Sequence, residues 1–107
     1  MTAYNWGQSL IGLPPEVAKR LPRTYTFTLS PSSVAANTTA EQTFTASGLT
    51  TDDHVTVNKP TAQAGIGIVG ARVSAANTLA ITFVNATASA TTPTASQTYK
   101  VVAQKVT

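Results

Sequence analysis

The sequence predicts an all-β domain, an antiparallel sandwich of about six to seven strands behind an extended N-terminal arm. Three observations predict it. Apolar residues alternate with polar ones at period two in several short runs, turn residues separate those runs at intervals of roughly 8 to 15 residues, and no helical period interleaves them. Each such strand buries one face only, so two sheets must close on one another. A jelly roll or a closed barrel satisfies the same pattern.

The strands follow in order from Thr24. TYTFTLS sets Tyr25, Phe27 and Leu29 against Thr24, Thr26 and Thr28, and Pro31 ends the run. EQTFTAS turns Phe44 inward. Gly48 and Thr50 to Asp53 then make a turn before HVTVN, in which Val55 and Val57 alternate with Thr56, and Lys59-Pro60 closes that strand. GIGIVGARVS is apolar on both faces, which suits a strand with glycine kinks or a bulge. Asn77 marks a tight hairpin into TLAITFV, with Leu79, Ile81 and Phe83 on one face. The loop NATASATTPTAS leads to QTYKVVAQKV, with Tyr99 and Val101 facing in.

Residues 1–23 differ in kind, and the expected organisation is an arm at 1–23 and a sandwich at 24–107. The arm holds the only Trp and three of the six prolines, with no alternation. Pro14 and Pro15 could open a short helix that Pro22 stops. Ordering some 20 residues costs ~1–2 kcal/mol each, whereas burying Tyr4, Trp6, Leu10, Ile11, Leu13, Val17 and Leu21 returns ~1.5–3 kcal/mol apiece. Docking on its own domain hardly breaks even. The arm is therefore expected to seek a second surface, the other outcome being a tail packed modestly on its own sandwich.

Composition narrows the function classes. There is no cysteine, so thiol nucleophiles and Cys-based metal sites are excluded, and only 10% of residues are charged against ~25% in an average domain. The net charge of +3 is dispersed: Lys19, Arg20 and Arg23 end the arm, and Lys59, Arg72, Lys100 and Lys105 are scattered. That dispersal argues against nucleic acid as a partner, because phosphate binding uses a basic patch. No apolar run approaches a membrane span or a signal peptide, so no membrane partner and synthesis in the cytoplasm are expected.

Candidate chemistry is sparse. Gly65 to Gly70 fits G-x-G-x-x-G, yet β-branched residues follow where a helix is needed, and no acid occurs after Asp53. His54 beside Asp52 and Asp53 could suggest a metal or a general base, but neighbours on a strand point to opposite faces. A turn acid pair followed by a partly exposed His is the expectation. With one His and four acids no acid–base set assembles, so no enzyme activity, cofactor or metal is expected. Asn37-Thr38-Thr39 and Asn85-Ala86-Thr87 are formal glycosylation acceptors, read here as turn residues.

EQTFTASGLTTDDHVTVNKPTAQAGIGIVGARVSAANTLAITFVNATA and the closing TYKVVAQK resemble small immunoglobulin-like capsid decoration, or cement, proteins of tailed bacteriophages. The likeness runs from Glu41 to Lys105, 65 of the 107 residues. It implies an immunoglobulin-like sandwich that sits as a homotrimer on the outer capsid surface of the virion, binds the major capsid protein and stabilises the shell. The same module occurs within fibre and tail proteins. A start at Met1 and a length of one domain lead us to expect a self-contained head protein. Arm chemistry then nominates Tyr4, Trp6, Leu10, Ile11 and Leu13 as the buried anchor, with Lys19, Arg20 and Arg23 meeting acidic capsid patches. The rival expectation is a fibre or host-attachment module that binds a cell-surface glycan. Its sugar platform would need exposed aromatics, and Tyr25, Phe27, Phe44, Phe83 and Tyr99 all fall at inward positions.

Overall fold

Period-two patterning and turn chemistry produce six strands in the computed structural model, which describes residues 21–106. They are β1 (Arg23–Leu29), β2 (Thr38–Thr45), β3 (Asp53–Asn58), β4 (Ile66–Ala75), β5 (Thr78–Asn85) and β6 (Gln97–Lys105). All pairings are antiparallel, in two three-stranded sheets ordered β1-β6-β3 and β2-β5-β4. No helix occurs among the described residues.

The two sheets share one core, which gives a sandwich-like pair of layers. Leu29 of β1, Val55 of β3 and Tyr99, Val101 and Ala103 of β6 come from the first sheet; Val73 of β4 and Leu79, Ile81 and Phe83 of β5 come from the second. Phe83, Ile81, Leu79, Tyr99 and Val101 are wholly buried, and burial of each of the four that are purely apolar contributes ~1.5–3 kcal/mol. The central strands β5 and β6 therefore hold most of the core, and the edge strands add half-buried Tyr25, Phe27, Phe44 and Val57. Every inward position expected of Tyr25, Phe27, Leu29, Phe44, Val55, Leu79, Ile81, Phe83, Tyr99 and Val101 is found on the core side.

Local backbone chemistry explains the joins. Asn77 takes φ 59° at the tip of the β4–β5 hairpin, and its Oδ1 accepts from Gly48 N at 2.9 Å. β4 is kinked as its glycines predict: the ladder to β5 shifts register between Ile68 and Gly70 and again between Val73 and Ala75. The first bulge turns Val69 out to 60% exposure. Gly65, at φ 75°, enters β4 so close to Thr87 that a Cβ there would lie 2.3 Å from Thr87 Cγ2. The G-x-G-x-x-G run thus occupies a turn and a bulged strand.

The loop after β5 is better tied than its composition suggests. Asn85, read from sequence as a turn residue, is instead fully buried at the end of β5. Its Nδ2 donates to Val34 O at 3.0 Å and Ser89 O at 2.9 Å, and its Oδ1 accepts from Thr87 N and Oγ1. A glycan has no access to that amide. Val34 and Thr91 complete the tie by exchanging both backbone hydrogen bonds.

Candidate functional site

Among the residues nominated for partner contact, Arg23 is the one within the described chain. Tyr4, Trp6, Leu10, Ile11, Leu13, Lys19 and Arg20 lie outside the described residues, as does the expected helical turn. Arg23 opens β1, so it stands where the preceding segment joins the sandwich. Its side chain, one-third exposed, lies in the inward phase with Tyr25, Phe27 and Leu29.

Arg23 enters a charged cluster at that end of the first sheet. In register with Ala103 of β6, it reaches across the central strand to Asp53 on the far edge, where Nη2 donates to Oδ1. The methyl of Ala103 leaves the room for that reach. Lys105 Nζ lies 3.5 Å from the same carboxylate oxygen and donates to Thr50 Oγ1 at 2.6 Å. Thr50 N donates to Asp53 Oδ2 at 3.0 Å. The Asp53 side chain is completely buried, so its charge survives only because these groups surround it.

Burial pushes the Asp53 carboxyl up, but the Thr50 amide, the Arg23 guanidinium and the Lys105 ammonium together outweigh it and hold the group below the usual range. Arg23 also lies over the Tyr25 ring, 5.8 Å from its centroid, and Tyr25 stacks on Phe27 at 5.9 Å. Two buried polar atoms go without a partner among the described residues, Arg23 Nε and Tyr99 Oη. Burial raises the Tyr99 phenol above its ordinary value.

A second ion pair crosses the other sheet on its outer face. Arg72 of β4 donates through Nε and Nη2 to both carboxylate oxygens of Glu41 on β2, each at 2.9 Å. The pair passes over the central strand where Ala80, in register with Arg72, is fully buried beneath it. The hydrogen bonds from Arg72 hold the Glu41 carboxyl below its ordinary range.

His54 and Asp53 diverge as strand alternation requires: His54 is exposed and in register with Gln104. Asp52 is a turn residue, whereas Asp53, read from sequence as its companion there, is the first residue of β3 and buried. Among the described residues no three His, Cys, Asp or Glu side chains gather as metal ligands, and no helix is long and apolar enough to cross a membrane. Sequence reading missed Asp53, Lys105, Gln42 and Asn85 as internal polar partners. One signal marks all four: each falls on the inward phase of its strand, where an apolar side chain is the rule. In comparisons with known proteins the chain matches no family model, no curated relative and no solved structure.

Proposed function

We propose that this protein is a structural virion component that decorates a phage capsid and stabilises it by binding the major capsid protein through the segment preceding β1. The observation that carries the reading is strand connectivity. An immunoglobulin-type sandwich orders its strands A-B-E-D and C-F-G. Here β2-β5-β4 corresponds to B-E-D and β3-β6 to C-F. The place of G beside F is taken by β1, from the start of the chain. This supports the immunoglobulin-like part of the resemblance and adds a departure from it.

The departure suits the role. Because β1 occupies an edge of the first sheet, Arg23, where the arm joins the domain, stands at the rim of the sandwich in the cluster with Asp53. A contact segment issuing there starts from a point pinned by three charged groups. The anchor side chains would be Tyr4, Trp6, Leu10, Ile11 and Leu13, with Lys19 and Arg20 answering acidic patches and Arg23 holding the base of the segment. Seating as a trimer at three-fold positions of the shell is part of the same proposal. Binding to the assembled shell alone stabilises it by mass action. The glycan-binding rival has less support, because no aromatic among the described residues is exposed.

The test is depletion from solution by undecorated heads and, separately, by host cells. Full-length protein should be removed by heads. A variant lacking residues 1–20, which keeps Arg23 and all of β1, should retain the far-ultraviolet spectrum of a β protein and remain in solution. Equal decoration by the truncated form, or depletion by cells alone, rejects the proposal.

A further inference from the structure

Sheet edges are templates for another strand, and folded proteins ordinarily guard them with charges, bulges, prolines or cover. Three of the four edges here carry such guards. On β2, Gln42 holds Ser32 of the preceding connection through two hydrogen bonds of 2.7 and 2.8 Å, and Glu41 places a charge on the outer face. β3 is six residues long, begins with an inward acid and is followed by Lys59-Pro60. β4 is broken by its two bulges and carries Arg72. β1 is guarded only at its start, where Pro22 precedes it and Arg23 opens it on the inner face. Between Arg23 and Leu29 it contains no proline, no bulge and no further charge, and it pairs with β6 over all seven residues. Among the described residues nothing hydrogen-bonds the backbone of its free edge.

We propose that β1 is a self-association edge: two copies pair antiparallel through Arg23–Leu29 about a two-fold axis at Thr26, joining their first sheets into one sheet of six strands. The occupant is a second copy because the strand is complementary to itself. With the axis perpendicular to the sheet, Thr26 faces Thr26, Thr24 faces Thr28 and Tyr25 faces Phe27 of the other copy. Threonines meet threonines on the outer face and aromatics meet aromatics on the inner one, both favourable cross-strand pairs. The half-buried Tyr25 and Phe27 gain cover by it. The one charge within the strand, Arg23, falls opposite Leu29 and meets no like charge.

Nearby charge does not oppose the pairing. Lys100 is in register with Thr26, so the two Lys100 side chains stand three strand spacings apart, about 14 Å. That exceeds the ~8 Å screening length at physiological salt. The contact is about 23 Å long and buries on the order of 1,000 Å² in total, the low end for a specific pair. The dimer is accordingly weak and concentration-dependent. The pair belongs to the free protein and the proposed trimer to the shell, so a closed trimer in solution counts against this inference and not against shell binding.

Light scattering of the full chain across a concentration series should show a monomer passing into a dimer. Thr26→Glu places two carboxylates face to face on the axis while each gains Lys100 of its own copy as a cross-strand partner. It should weaken the dimer roughly fivefold or more and leave the thermal melt of the monomer in place. Thr26→Cys supplies the only thiol in the chain, at a cross-strand separation that a disulfide can span. Mild oxidation should give a covalent dimer, and Thr43→Cys on the outer face of the second sheet should not. A monomer at every concentration overturns the proposal. So does an oligomer that Thr26→Glu leaves unchanged, or equal cross-linking at positions 26 and 43.

Discussion

The two sheets are each spanned, edge to edge, by an arginine and a carboxylate that pass an alanine of the central strand, and the two pairs behave differently. Arg23 and Asp53 do this on the inner face beside Ala103; Arg72 and Glu41 do it on the outer face above Ala80. The inner carboxylate is shut away from water and ringed by two cations and an amide. The outer pair is in water, 64% exposed at the arginine, and has nothing but its bidentate geometry. The same chemistry therefore carries stability in one sheet and little in the other. Burial decides which, because removing one member of a buried pair strands the other charge without solvent.

Asp53→Ala is the sharpest way to break the comparison. It should lose about 2–3 kcal/mol, below the full 3–5 because Arg23 retains some contact with water. In a domain of this size that is roughly 10–20 °C of melting temperature. A loss no greater than that of Glu41→Ala would erase the distinction between the sheets.

Acid supplies the next largest effect. Because the folded carboxyl of Asp53 titrates below its unfolded value, its contribution is intact above about pH 4 and fades as pH falls through the folded value. Denaturant titrations at stepped pH should show stability declining on that acid limb, and Asp53→Asn should flatten it. At the alkaline end the sign reverses. The raised Tyr99 phenol favours the neutral form, so stability holds below about pH 10 and declines above it. Tyr99→Phe should remove that alkaline limb while leaving neutral-pH stability equal or slightly higher, since among the described residues its hydroxyl has no partner to lose.

Glu41→Ala is expected to have the smallest effect. Thermal melts in low and high salt should coincide with those of the parent protein, as exposed pairs contribute little.

How much of this was legible in the sequence depended on distance along the chain. The inward faces of TYTFTLS, HVTVN and TLAITFV could be read directly, because alternation is a local property of a pleated strand. So could the hairpin at Asn77 and the kinks of GIGIVG. The partnership of Arg23 with Asp53 spans 30 residues and depends on β6 lying between them, and β6 lies later in the chain than either. Gln42 and Asn85 were obscure for the same reason: their partners, Ser32 and Val34, are set by how a connection folds back on a strand. Ala80 was hidden by a side chain arriving from β4. The nominated contact residues Tyr4 to Arg20 lie outside the described residues, so their nomination still rests on composition.

The wiring of the first sheet governs when the molecule can finish folding. Its two outer members, β1 and β3, share no backbone ladder; both wait for β6, which begins 74 residues after β1 does. On a ribosome the second sheet can be complete while the first is still two loose ribbons, because β2, β4 and β5 are all translated by residue 85. Closure over such a span is slow. A nascent chain halted before Gln97 would present the aromatics of β1 to its surroundings, which makes the final stretch of synthesis the interval most exposed to aggregation.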